Sequence, residues 1–253
     1  MTDIKNRLEK LQADNNYPGV ARLVKLASYE GIERRDVLKF LAKDIVTQQT
    51  KETKKKKPTG HVVAMVPNEL WNVDIFDMSK YVKANKGYRY LLACVDVFTR
   101  KAYVEPMQNK NTVAAREAFQ SIIARAKAQP RSILIDNDAG FLSTDGSTGE
   151  TFSKYLEGKQ IAMSTNALKD HHAMAIIDNF AKRIKSVMNK MILRHNVATW
   201  YHKIQKIVDI YNSTDNSAIM DVKPEEVADD GEVQEEIVDL NIQKNKRIRP
   251  LPK

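Results

Sequence analysis

The chain has 253 residues, 42% of them hydrophobic and 29% charged, and no apolar run approaches the roughly 18 residues that span a bilayer, so neither a membrane span nor a secretory signal is expected. A single cysteine, Cys94, excludes an internal disulfide framework, and the histidines His61, His171, His172, His195 and His202 have no cysteine partners at zinc spacing, so no zinc site is expected. The net charge is +9, but residues 221–239 carry nine acids and one lysine, which leaves +17 on the remainder and favours a polyanionic partner such as nucleic acid.

Taken in chain order, Ile4, Leu8 and Leu11 recur at helical spacing, and VARLVKLASYEG and RRDVLKFLAKDIV follow on either side of a break at Gly31. Residues 1–50 therefore read as a small helical N-terminal domain. Two roles stand open for it at equal weight, a DNA-binding head and an oligomerisation or packing arm. The stretch KETKKKKPTG, within a basic linker over 51–67, has linker chemistry, and its lysines suit phosphate contact or nuclear import as well as plain solvation. From Leu70 the pattern becomes strand-like. WNVDIF alternates, then YRYLLACVDVFT and KAYVEPM follow, which predicts an antiparallel three-strand meander. A helical run, TVAAREAFQSIIARA, precedes the buried-strand run RSILID, a second helix around GETFSKYLEGK, the short strand IAMST and two closing helices. The order βββαβαβαα is that of the ribonuclease H-like fold: an α/β core over 68–220 with a mixed five-stranded sheet flanked by helices. Residues 221–253, acidic and then basic, read as an extended or weakly ordered tail.

Within this pattern Asp74 lies in the middle of an apolar strand, where an unpaired carboxylate is costly. Asp136 ends the strand run ILID, at a carboxyl end, the usual place for ligand groups in such sheets. Two carboxylates meeting there repel unless a hard cation, Mg²⁺ or Mn²⁺, lies between them. A helix from 175 to 194 has an apolar face of Ile177, Phe180, Ala181, Ile184, Val187, Met188 and Met191, and sets Asp178, Lys182, Lys185 and Asn189 on one opposite stripe. That stripe reads either as a third metal ligand with phosphate-binding lysines beyond it, or as a solvated face with an ion pair between Asp178 and Lys182.

The runs LWNVDIFDM, YLLACVDVFTRKAYVEPM, ILIDNDAGF, AMAIIDNFAKRIK and WYHKIQKIVDIYNSTDNSAIMDVKPEEV, in that order over about residues 68 to 228, resemble the retroviral-type integrase core. Among such cores they look most like those of Polinton (Maverick) transposons and virophages, and YPGVARLVKLASYEGI extends a weaker likeness into the N-terminal helices. The resemblance implies a DNA integrase that trims the 3′ ends of a viral or transposon DNA and joins them to target DNA, with Mg²⁺ or Mn²⁺ held by Asp74 of W-x-x-D, Asp136 of DND, and Asp178 where the family has glutamate. Asp138 replaces the family's glycine and competes with Asp136 for the second ligand position. Lys182 and Lys185, four and seven positions after Asp178, match lysines that grip the DNA end, with Asn189 beside them. The family's zinc-binding head pattern and its C-terminal module are not recognisable, and 240–253 is expected to lead toward such a module in a longer protein.

The resemblance further implies a homo-oligomer, dimer or tetramer, acting on double-stranded DNA in the host nucleus or at the site of viral DNA replication, with association with the virion a further place. Two alternatives remain: a ribonuclease H-like nuclease that cuts without joining, and a degenerate integrase that only binds DNA. Asp77 and Asp96 are expected to be structural, His171 and His172 to precede the Asp178 helix in a loop, Tyr211 and Asn212 to fasten the last helix, and Trp71 and Trp200 to lie in the core.

Overall fold

The computed structural model describes residues 2–44, 46–47, 62–136, 138–142, 151–165, 173–195 and 198–246. The linker lysines 51–57, Asn137, His171 and His172, and the expectations placed on them, lie outside the described residues. The chain divides into two compact units: residues 1–56 with 183–198, and residues 57–182 with 199–253.

The second unit is built on one sheet. β1 (Leu70–Asp77), β2 (Tyr90–Asp96) and β3 (Ala102–Met107) form an antiparallel meander. β4 (Ser132–Ile135) and β5 (Ala162–Thr165) then add in parallel on the far side of β1, giving the order β3-β2-β1-β4-β5. Strand alternation decides the two faces. Trp71, Val73 and Ile75, with Leu92, Cys94, Ile133 and Ile135, pack against Phe119 and Ile122 of α4 (Thr112–Ala126) and Phe152 and Leu156 of α6 (Phe152–Gly158). Trp71 stacks on Tyr103 at 5.2 Å and meets Phe119 edge-on, so it is a core residue as expected.

Local chemistry sets where the helices start. Asn111 caps α4 by accepting from the Ala114 N–H at 2.9 Å, and Thr151 caps α6 through Lys154 N–H. The helix α8 (Ile204–Asn212) is fastened as expected: the Asn212 amide donates to Ala102 O at 2.9 Å and accepts from Ala102 N–H at 2.8 Å, on edge strand β3. Tyr211 meets Phe180 edge-on, and the buried Trp200 donates its backbone N–H to the Asn85 side chain. The expected order of elements and the mixed five-stranded sheet flanked by helices are therefore present, with one further short helix, α5 (Ala139–Leu142), after β4.

The acidic stretch departs from expectation. Residues Gly231–Lys246 form a helix, α9, and not an extended tail. Val227 and Ile237 are buried with Ala64, Phe98 and Ile219, and the Asn241 amide donates to Ala64 O at 2.9 Å. A few apolar positions at helical spacing are enough to seat the segment, while its acids stay on the solvated side.

The first unit holds α1 (Thr2–Asp14), α2 (Val20–Tyr29) and α3 (Arg34–Lys43), closed over Leu8, Leu23, Ala27, Ile32, Val37 and Leu41. The helix α7 (Ala175–His195) passes from the second unit into the first, which takes its residues from Arg183 on. There Lys190 donates to Tyr17 O at 3.0 Å, His195 meets the Tyr17 hydroxyl at 3.0 Å, and Arg194 pairs with Asp44 while lying over the Tyr17 ring.

Candidate active site

The register of the parallel pair places the first two carboxylates together. Val73 of β1 pairs with Ile135 of β4, so the residues that follow them, Asp74 and Asp136, lie side by side, Asp74 within its strand and Asp136 just past the end of β4. Asp74 is half-buried on the face opposite Trp71, between Asn72 and Phe76, and one of its oxygens accepts from the Ile75 N–H at 2.7 Å. Phe76 packs on Phe180 of α7 at 6.3 Å, which brings the first turn of that helix, with Asp178, over the same face. Asp178 and Asp136 are exposed.

The electrostatics of Asp74 report this convergence. Burial raises its pKa above the ordinary carboxylate range, and the negative charges of Asp136, Asp178 and Asp138 raise it further against the single hydrogen bond from Ile75. Three carboxylates thus act on a fourth, Asp74. A hard divalent cation is what such a donor set suits, because all-oxygen, anionic ligands and mutual repulsion are relieved together. Among the described residues, however, no three such side chains stand close enough to hold an ion as they are. The charge and chemistry of the set fit a metal, and its present spacing is open.

Asp138 is engaged differently. Its Oδ1 accepts from Gly140 N–H at 2.8 Å and its backbone carbonyl from Phe141 N–H, so it caps α5, and its Oδ2 lies 2.5 Å from Lys110 Nζ. Burial alone would lower the Lys110 pKa, but the bond and charge of Asp138, with Asp74 behind it, raise it. Gly140 permits this packing: a Cβ there would lie 3.0 Å from Ile75 Cδ1 and from Lys110 Cγ. Lys110 was not singled out from the sequence. Its signal is topological, since β3 runs in the direction of β1 and β4 and the loop after it opens at the same sheet edge as Asp136.

Lys182, Lys185 and Asn189 are exposed along one stripe of α7, as the spacing predicted, with Lys182 in the second unit and the other two in the part of the helix that belongs to the first. Asp96 is structural: it is buried and accepts from Asn68, Phe98 and Thr99 N–H and from the Thr99 hydroxyl at 2.8 Å. Asp77 accepts from Ser79 N–H at 2.8 Å at the turn after β1. Asn72, two residues before Asp74 on its face, is fully buried, and neither of its amide atoms has a hydrogen-bond partner among the described residues.

Comparison with known proteins bears on the same region. Residues 65–171 match the integrase core domain family. A transposon-derived protein of Caenorhabditis elegans is 24% identical over 142 residues, 56% of this chain, and the chain spans 47% of that relative. In fold, a chain of the simian T-cell lymphotropic virus intasome, solved with the PP2A regulatory subunit B56γ, superposes with a TM-score of 0.58 at 14% identity, covering 97% of this chain and 77% of that one. The HTLV-2 integrase catalytic core with magnesium gives a TM-score of 0.46 at 22% identity, over 59% of this chain and 88% of that one. No helix among the described residues is long and apolar enough to cross a membrane. The chain is thus similar to integrases in the sequence of residues 65–171, and its sheet and flanking helices have the ribonuclease H-like fold of their catalytic cores.

Proposed function

We propose that this chain is a DNA integrase of the transposon or virus type, which trims the 3′ ends of an element's DNA and joins them to target DNA as a homo-oligomer. The observation that carries the reading is the convergence of Asp136 and Asp178 on the half-buried Asp74 at the carboxyl edge of the sheet. Asp74, Asp136 and Asp178 are the residues that would hold Mg²⁺ or Mn²⁺. Bound there, two such ions would activate a water or a DNA 3′ hydroxyl as the nucleophile and neutralise charge at the phosphorus under attack. The protein's own part is positional. The Ile75 N–H fixes the Asp74 carboxylate, and the cap and Lys110 hold Asp138, which favours Asp136 over Asp138 as the second ligand. Lys182 and Lys185, with Asn189, face solvent on the Asp178 stripe and suit DNA phosphates, contacts that fix the position of a strand without reading its bases. The five runs quoted above keep the likeness to Polinton and virophage integrases as the finer form of the proposal.

The test mixes purified protein, Mn²⁺ and a labelled duplex carrying the element's terminal repeat. Trimmed and joined products are expected, with Asp74→Asn, Asp136→Asn and Asp178→Asn each losing both by at least about 100-fold while DNA affinity is kept. Trimming without joining returns the nuclease reading. Full activity in any one variant removes that residue from the site.

A further inference from the structure

Of the three acids whose charges reach Asp74, only Asp138 stands outside the proposed ligand set. Both of its oxygens are engaged elsewhere, Oδ1 with the Gly140 N–H at 2.8 Å and Oδ2 with Lys110 Nζ at 2.5 Å. Its own N–H donates to Asp136 O at 2.7 Å, so the two acids are carried on one tight turn past the end of β4.

Lys110 is held in place from both ends. At its backbone it precedes Asn111, the residue that caps α4, which fixes the chain at the start of a 15-residue helix. Its stem passes Gly140, where a Cβ would stand 3.0 Å from Lys110 Cγ and 3.2 Å from Asp138 Oδ1, so any other residue there would crowd both partners. The two side chains are only 32% and 22% exposed, and the charge of Asp74 acts on the lysine behind that of Asp138. A sheltered pair backed by a second carboxylate is not the freely solvated kind that contributes little.

We propose that Lys110 is a specificity-determining residue for the metal: by keeping Asp138 out of the ligand set, it holds the site to three carboxylates and so to Mg²⁺ or Mn²⁺ in preference to Ca²⁺. The inference rests on the reading of Asp74, Asp136 and Asp178 as metal ligands. Mg²⁺ is small, demands octahedral geometry, keeps several waters and uses few carboxylates, whereas Ca²⁺ takes about six to eight oxygens in flexible arrangements. A fourth carboxylate released on the turn beside Asp136 raises the ligand number in the direction that suits Ca²⁺. Charge alone does not discriminate, because both ions are divalent and the loss of a nearby ammonium favours them alike. Only a change in the ligand set separates them.

The experiment uses the full chain without DNA. Mn²⁺ bound to it is followed by paramagnetic resonance while Mg²⁺ or Ca²⁺ is added as competitor. The ratio of the two half-displacing concentrations is the selectivity, and the Mn²⁺ affinity cancels from it. Lys110→Met keeps the apolar stem beside Gly140 and removes the charge, Lys110→Gln removes it with a polar end, and Lys110→Arg retains it; circular dichroism checks that each is folded. Both neutral variants should shift the ratio toward Ca²⁺ by at least about tenfold, and Lys110→Arg by less than about threefold. Adding Asp138→Ala to Lys110→Met should return the ratio to that of the unaltered chain, because the shift needs the released carboxylate. An unmoved ratio in the neutral variants, even with tighter binding of both ions, overturns the proposal, and so does a shift that persists in the double variant. An unaltered chain that binds no Mn²⁺ fails the metal-ligand reading itself, whereas bound Mn²⁺ with an unmoved ratio fails the role of Lys110 alone.

Discussion

Asp74 shows the cost of gathering carboxylates at one edge of a sheet. Its pKa is raised by burial and by Asp136, Asp178 and Asp138, so the ionised form is disfavoured in the folded chain. Because the folded value lies above the unfolded one, the group favours folding below the ordinary carboxylate range and loses that contribution as pH rises through the raised value. At neutral pH its charge is a net cost to the metal-free fold. Asp74→Asn should therefore raise the melting temperature at pH 7 by about 2 to 4 °C, equivalent to about 1 kcal/mol in a chain of this length, and the gain should vanish near pH 4. Calorimetry in EDTA measures it, and an unchanged or lower melting temperature at pH 7 would count against the convergence. The strand position of Asp74 and the helical stripe of Asp178 are legible in sequence, since alternation and 3.6-residue spacing are local. Lys110 is not, because its meeting with Asp138 exists only once β3 and β4 end at one edge.

Among the elements, the helix α8 is tied to β3 through one polar side chain. Asn212 makes both of its hydrogen bonds to the backbone of Ala102, and all four atoms are buried. Asn212→Ala leaves an N–H and a C=O unpaired on β3 and should destabilise the chain by about 2 to 3 kcal/mol. Urea denaturation reads the loss directly, and a change under about 0.5 kcal/mol would mean that α8 is held by its apolar face alone. The meander and its two parallel additions were readable because β2 is an almost continuous apolar run and β1 alternates. The helix α9 was hidden by composition. Nine acids in nineteen residues outweigh Val227, Val233 and Ile237 in any reading by charge, yet burial of those few side chains against Ala64, Phe98 and Ile219 decides the outcome.

For the whole molecule, charge and fold act at different ranges. The acids of 221–239 leave +17 on the rest of the chain, a field that would draw in a polyanion such as DNA from a distance, whereas the proposed carboxylate site would act only on arrival. The distribution of charge was plain in the sequence. An N-terminal helical part distinct from the core was expected from the sequence too, but the place of residues 183–198 with that part was not, since α7 is one uninterrupted amphipathic run and nothing in its spacing marks Arg183 as the residue from which it joins the N-terminal helices.

The lone thiol gives the sheet a built-in clock. Cys94 lies at the centre of β2, paired with Val73 on one side and Tyr103 on the other, fully buried and with its thiolate strongly disfavoured by burial. No thiol reagent can reach it while the three-strand meander is intact, and no second thiol confuses the signal. The rate at which a coloured disulfide reagent consumes one equivalent of thiol should therefore follow the opening of the sheet itself. A labelling rate as fast as that of a free peptide thiol in the native protein would mean that the sheet opens far more often than its packing predicts.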